Sequence, residues 1–283
     1  MKNGIKNIIV FSDIHAGSKL GLMPPEVILD EGIIVRQSPL QRKLWKMWDE
    51  FNNIYIPEWT KGEDYVIVNN GDSIDGDHHD TSTTITRNLN DQVKIAYQIL
   101  KPLIDKPNCK GYFQIRGTEA HVGKSAQYEE QLAKMLNAKP TSKDKYKIYS
   151  RWDLWLRMGG GSLIHFTHHV GNTNSAAYES TAVYKELVEA FNEAGRWHDQ
   201  APDVCVRSHR HRQMEIRIPT KRGYGISLVT PAWQLKTPFT YKLGLGRSST
   251  PQIGGYLIRE GDEDAVFTRF KIWKIERSKE EKI

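Results

Sequence analysis

Asp13 and His15 stand two residues apart at the end of a short apolar run, a carboxylate beside an imidazole. The stretch is Ile8 to His15, I-I-V-F-S-D-I-H. Its first part, Lys6 to Phe11, reads as a buried β-strand that the chain leaves at Ser12. Residues two apart in extended backbone point to the same side. An oxygen donor and a ring nitrogen on one side of a strand end suit a divalent transition metal. A capping Asp next to a packed His produces the same triplet, so the pair needs company before it means anything.

Four further runs supply that company. Tyr65 to Asn69 leads into N-G-D-S-I-D-G-D-H-H-D, which places Asp72 and Asp75. Lys110 to Arg116 leads into G-T-E-A-H-V-G, which places Glu119 and His121. Trp152 to Met158, a Gly159-Gly160-Gly161 turn and Ser162 to Thr167 read as a hairpin ending in His168 and His169. Asp203 to Arg207 ends in S-H-R-H, with His209 and His211. Where strands share a direction, such ends meet along one sheet edge, the usual place of an α/β active site. This donor set is large enough for two metals. Asp72 is the natural bridging carboxylate, because Gly71 lets the chain turn tightly and bring it inward.

The elements between these runs must hold them in place. Ser38-Pro39 has an N-cap signature, and Leu40, Leu44, Met47, Trp48 and Phe51 follow at helical spacing, predicting a helix that ends before Pro57. Asn88 or Asn90 caps a helix through about Asp105, and Ser125 caps another over Tyr128 to Leu136. Asn174 or Ser175 starts a helix that Gly195 ends. Met214 to Ile218, Gly225 to Val229, Gly255 to Ile258 and Ala265 to Ile275 read as antiparallel strands. The expectation is one domain over residues 1–275, with an insertion at 17–57 near the site and a solvated tail at 276–283.

Composition sets the class. With 283 residues, 39% hydrophobic and 26% charged, the chain can bury a large core, and its eight Trp and twelve Tyr argue against disorder. A net charge of +6 favours an anionic ligand such as phosphate or nucleic acid, although a basic but indifferent surface gives the same figure. Cys109 and Cys205 lie far apart in apolar runs, as reduced core thiols do. No run has signal-peptide or membrane-spanning length, so a soluble cytoplasmic protein without membrane partners is expected.

The order of these motifs resembles that of the calcineurin-like metallophosphoesterases, whose pattern is D-x-H, G-D-x-x-D, G-N-H-D/E, a His, and G-H-x-H. Asp13-Ile14-His15, Gly71-Asp72-Ser73-Ile74-Asp75, His168 and His209-Arg210-His211 match it over roughly residues 5–235. The context brings phage- or prophage-encoded members to mind. The resemblance implies an αββα sandwich, two mixed sheets flanked by helices, with two divalent metals at the sheet edge. Mn2+ is the first expectation, and Fe, Zn, Ni and Co are also compatible with N/O ligation.

Carried over by position, Asp13, His15, Asp72 and His211 would hold the first metal, and Asp72, Glu119, His168 and His209 the second. His121 would stabilise or protonate the leaving oxygen, Asp75 would orient a His ligand, and Arg116 would clamp a phosphate or form a surface salt bridge. Two departures stand out. The third motif reads Arg116-Gly117-Thr118-Glu119-Ala120-His121, so either Thr118 replaces the family's Asn or Glu119 is the ligand; the carboxylate is the better donor and the preferred reading. Ser208 replaces the Gly of G-H-x-H, a change expected to be tolerated.

Other candidates have plainer readings. His78, His79 and Asp80 read as a polar loop before they read as substrate contacts, His165 as a structural His, and Trp233 as either cleft lining or sandwich cap. The implied activity is hydrolysis of phosphodiesters or phosphomonoesters, with nucleotides among the candidate substrates, by in-line attack of hydroxide activated between two metals. A DNA or RNA nuclease is the alternative the charge favours, though no basic stripe interleaved with aromatics is present. A non-catalytic scaffold on the same fold is a second alternative. Substrate identity and oligomeric state are not written in the sequence.

Overall fold

A computed structural model of the chain describes residues 4–78, 82–142, 145–171, 176–242, 250–261 and 265–276. Strand β1 (Asn7–Phe11) lies at the centre of the first sheet and is buried along its whole length. Its side chains alternate: Ile8 and Val10 join the core between the two sheets, while Ile9 and Phe11 join the core beneath the helices. On one side β1 pairs in parallel with β4 (Tyr65–Asn69), which is followed outward by β5 (Cys109–Ile115) and β6 (Ser150–Arg151), also parallel. On its other side it pairs antiparallel with β12 (Ile253–Glu260), which carries β13 (Val266–Trp273) at the edge.

The second sheet runs β10 (Met214–Thr220), β11 (Gly223–Val229), β9 (Val204–Arg207), β8 (Leu163–Phe166), β7 (Leu154–Arg157). β9 is parallel to both of its neighbours, and the predicted hairpin across Gly159–Gly161 is the antiparallel pair β7–β8. A small hairpin of β2 (Glu26–Ile28) and β3 (Ile34–Arg36) lies within the expected insertion at 17–57. Helices cover both outer faces, so the expected αββα sandwich of two mixed sheets is what the chain forms. α1 (Pro39–Glu50), α2 (Ile56–Thr60), α3 (Leu89–Ile104) and α5 (Gln127–Met135) pack on the first sheet. α6 (Glu179–Trp197) covers β10 and β11 of the second through Val183 and Leu187. Between β5 and α5 lies the single turn α4 (Glu119–Val122), and α7 (Pro238–Lys242) follows β11.

Several expectations need correction. The first helix does not stop before Pro57: a π-turn at Phe51–Tyr55 leads into α2, and Pro57 sits in that helix's opening positions, where a missing N–H leaves no bond unmade. Leu40 is exposed, while Trp48 meets Phe11 and Trp233 edge-on at 5.2 and 4.8 Å. Each such pair adds about 0.5–1.5 kcal/mol beyond area burial. Trp233 is therefore core and does not line a cleft. Ala126, not Ser125, caps α5, because the Ser125 hydroxyl donates to the Gln127 side chain instead. α6 runs two residues past Gly195 to Trp197, with His198 as its left-handed cap. The expected helix start at Asn174 or Ser175, most of the 276–283 tail, and His79 and Asp80 lie outside the described residues.

Candidate metal centre

The parallel strands β1, β4 and β5 of one sheet and β8 and β9 of the other all deliver their C-terminal ends to the same edge of the sandwich. Pairing continues past the strands: the Asp13 amide donates to Gly71 O (2.9 Å), His15 N to Asp72 O (3.1 Å) and Ala16 N to Ser73 O (3.1 Å). The turns after β1 and β4 are thereby locked side by side. Nine non-glycine residues among those described have positive φ, and five of them are Asp13, His15, Asp72, His209 and His211. Each such residue costs about 1–3 kcal/mol and persists only where its surroundings impose it.

The side chains converge in overlapping groups: Asp13 with His15 and His211, Asp72 with His168 and His209, and Asp72 with His15 and His121. Asp72 belongs to two of these, the position a bridging carboxylate needs. His15 Nε2 lies 3.2 Å from His211 Nε2, which lies 3.3 Å from Asp13 Oδ1. His168 Nε2 lies 3.0 Å from Asp72 Oδ2. Ligand atoms at about 2.0–2.2 Å from one ion fall roughly 3.0–3.5 Å from each other, so these spacings fit shared cations. Among the described residues, Asp13 Oδ1 and His168 Nε2 are buried without a well-formed hydrogen bond and have other ligand candidates, His211 and Asp72, as their near polar neighbours, an arrangement that a cation satisfies. The donor set of carboxylates and imidazoles therefore fits divalent transition metals.

Ring orientation is fixed from behind. His168 Nδ1 donates to Asn70 O (2.6 Å) and His121 Nδ1 to Asp75 O (2.6 Å), since a carbonyl only accepts; both Nε2 atoms then face the cluster. Burial works against charge on His168, but Asp72 and Asp13 beside it push its pKa up to about 10. At His121 and His209 the same burial prevails over the nearby carboxylates, and both fall to about 4. Burial would raise the carboxyl of Asp13, yet His211 and His168 hold it down to about 2; Asp72 is held well below the usual range by His168 and His121.

Two glycines make the approach possible. A Cβ on Gly71, whose φ is +96°, would stand 2.4 Å from His168 Nδ1, and one on Gly117 would stand 2.0 Å from Asp72 Oδ1.

Some predicted residues fall elsewhere. Glu119 is exposed at the start of α4 and belongs to none of the donor groups; helix geometry turns it away while Thr118, just before, faces in. Thr118 N donates to Asp72 Oδ1 (2.7 Å), and its hydroxyl lies 3.2 Å from Asp72 Oδ2 and 3.0 Å from His209 Nδ1. The preference for Glu119 over Thr118 is thus corrected by position. Arg116 points away as well: its Nε donates to Ser150 Oγ and a terminal nitrogen lies 3.7 Å from Glu130 Oε2, the salt-bridge alternative. Asp75 sits 3.3 Å from His15 Nδ1 and accepts from Gln234 Nε2 at 3.0 Å. Of the His pair, His168 joins Asp72, whereas His169 is in none of the groups. His78 stacks edge-on against His121 at 4.3 Å and groups with it and Asp75, so it is part of the site's wall. His165 is structural, between Trp155, Asp153 and Arg207.

Sequence reasoning missed the hydrogen bonds behind the ligands. Ser12, Thr230, Ser208 and Asn70 form a hydroxyl and amide chain, with contacts of 2.6–2.7 Å, that links the two sheets just beneath the site. Ser208 is thus more than tolerated. The alternation of small polar residues with ligands at strand ends was the available signal.

No family model and no curated protein matches the chain. Structure comparison returns a conserved uncharacterized protein from Streptococcus pneumoniae TIGR4, described as a predicted phosphoesterase (TM-score 0.35, 11% identity, 95% of this chain and 98% of that one). It also returns the sulfate thiohydrolase SoxB of Thermus thermophilus in complex with glycerol (TM-score 0.41, 10% identity), of which this chain spans 56% while 94% of its own length is covered. Vps29 of Chaetomium thermophilum gives a TM-score of 0.38 at 10% identity, covering 95% of this chain and 98% of that one.

Proposed function

We propose that this edge holds two divalent transition-metal ions, Mn2+ first among them, and hydrolyses phosphate esters. The observation that carries the reading is the convergence of Asp13, His15, Asp72, His168, His209 and His211, five of them in left-handed backbone and with the buried Asp13 Oδ1 and His168 Nε2 lacking a well-formed hydrogen bond among the described residues. Asp13, His15 and His211 would hold one ion and His168 and His209 the other, with Asp72 between them. Bound there, the ions would supply a nucleophilic hydroxide at neutral pH and neutralise charge growing on the phosphoryl oxygens.

The chain's own groups do the positioning. The Asn70 carbonyl holds the His168 ring, and the Asp75 carbonyl holds His121 with its Nε2 lone pair 3.9 Å from Asp72 Oδ2. In that tautomer His121 accepts a proton; to donate one to a leaving group it must first become imidazolium, which Asp72 would stabilise. Thr118 keeps its hydroxyl between Asp72 and His209, where a neutral oxygen adds little negative charge.

The test is metal content together with turnover of a chromogenic diester and monoester, with and without Mn2+. The expected result is metal-stimulated hydrolysis that Asp72→Ala abolishes. A metal-loaded Asp72→Ala protein with near wild-type turnover would overturn the reading.

A further inference from the structure

We propose that Glu129, a fully buried carboxylate on α5, is a positioning residue that fixes Asp72 and the Gly117–Thr118 turn relative to each other; this rests on the metal-centre reading above. Glu129 is 0% exposed and touches no metal-ligand side chain in its hydrogen bonding. Its Oε1 accepts from Ser73 N (2.9 Å) and Ser73 Oγ (2.9 Å), in the residue directly after Asp72. Its Oε2 accepts from Gly117 N at 2.6 Å, the residue directly before Thr118. The next amide, Thr118 N, donates to Asp72 Oδ1 at 2.7 Å. Two consecutive amides are thus held by two buried carboxylates, one on each of two successive peptide planes, so the turn is fixed on both sides of Gly117.

Gln114 Nε2 adds bonds to Ser73 Oγ (2.9 Å) and Glu129 Oε1 (3.3 Å), so the clamp is itself braced from β5. The turns it joins are already in contact, with no room for a Cβ at Gly117. A loss of register there moves Asp72 and Thr118 together. A carboxylate is required because every partner on the two turns is a donor; an amide of the same shape must aim its NH2 at Ser73 or at Gly117. Glu130, the neighbour on the same helix, provides a matched control. It accepts from Tyr149 N, Ser150 N and Ser150 Oγ and holds the β6 segment, bonding no backbone amide of either turn and reaching the second only through the Arg116 side chain at 3.7 Å.

The experiment is calorimetric titration of Mn2+ into metal-free wild type, Glu129→Gln and Glu130→Gln, with thermal melts of each. Glu129→Gln should weaken Mn2+ binding by about 10–100-fold, the cost typical of losing an outer contact to a metal site. Glu130→Gln should melt as early or earlier but bind Mn2+ as wild type does. Mn2+ affinity of Glu129→Gln within twofold of wild type would overturn the proposal, as would an equal loss in Glu130→Gln. Should Glu129→Gln fail to fold, Ser73→Ala removes one donor to Oε1 and keeps the backbone amide; it should weaken binding at least threefold, and wild-type affinity would overturn the proposal. A wild type that takes up no Mn2+ overturns the metal-centre reading, and this proposal with it.

Discussion

The same sheets end very differently at their two ends. At the start of β1, Asn7 bonds Glu63, the Asp64 carbonyl and Arg259, while Arg259 also reaches Glu63 at 3.0 Å. Beside it the buried Glu260 accepts from the Gly160 and Ser162 amides and closes the β7–β8 turn. Charges there meet opposite charges or donors. At the other end, carboxylates and imidazoles crowd together, Asp13 Oδ1 and His168 Nε2 have no well-formed hydrogen bond among the described residues, and five ligand candidates sit in left-handed backbone. One end is built to close the sandwich, while the other carries strain and unmet polar groups that folding alone does not reward.

That contrast can be broken by substitution. His211 has a φ of 55° and is half-buried, so Asn, which tolerates left-handed backbone, should fit with metal-free stability changed by less than about 1 kcal/mol. Mn2+ affinity in His211→Asn should nevertheless fall by more than about 100-fold, exceeding the loss of an outer contact; calorimetry on one sample and denaturant unfolding on another read the two quantities. At the closed end the outcomes reverse. Glu260→Ala removes the acceptor shared by the Gly160 and Ser162 amides and should cost about 1–3 kcal/mol of stability, with Mn2+ affinity of the folded protein unchanged. The smallest effect belongs to Lys61, the exposed left-handed cap of α2. Strain there serves nothing at the site, so Lys61→Gly should stabilise by about 0.5–1 kcal/mol without touching metal binding.

How much of this was legible in the sequence depends on range. Asp13, His15, Asp72, His168, His209 and His211 were readable because an apolar β-run followed at once by a polar turn is a local pattern, and parallel strands carry such ends to one edge. Glu119 was not, because a one-residue shift on a helical turn decides which side chain faces in, and the spacing G-T-E-A-H does not set that turn's phase. The helix past Pro57 was missed because a π-turn leaves no signature in composition. Glu129 belongs to none of the sequence motifs. Yet it shares a face with Leu132, Ala133 and Leu136, all buried, at spacings of three, four and seven. A carboxylate on an apolar stripe was the signal. What no local pattern held was its partner, since Ser73 lies 56 residues away.

Two cations with Asp72 between them are what is proposed for this edge. Anomalous scattering from crystals grown with Mn2+ tests this directly. Two peaks are expected, one among Asp13, His15 and His211 and one beside His168 and His209, with Asp72 contacting both and Glu119 contacting neither. Peaks held by Glu119, or the absence of any peak within ligand distance of Asp72, would contradict the proposal.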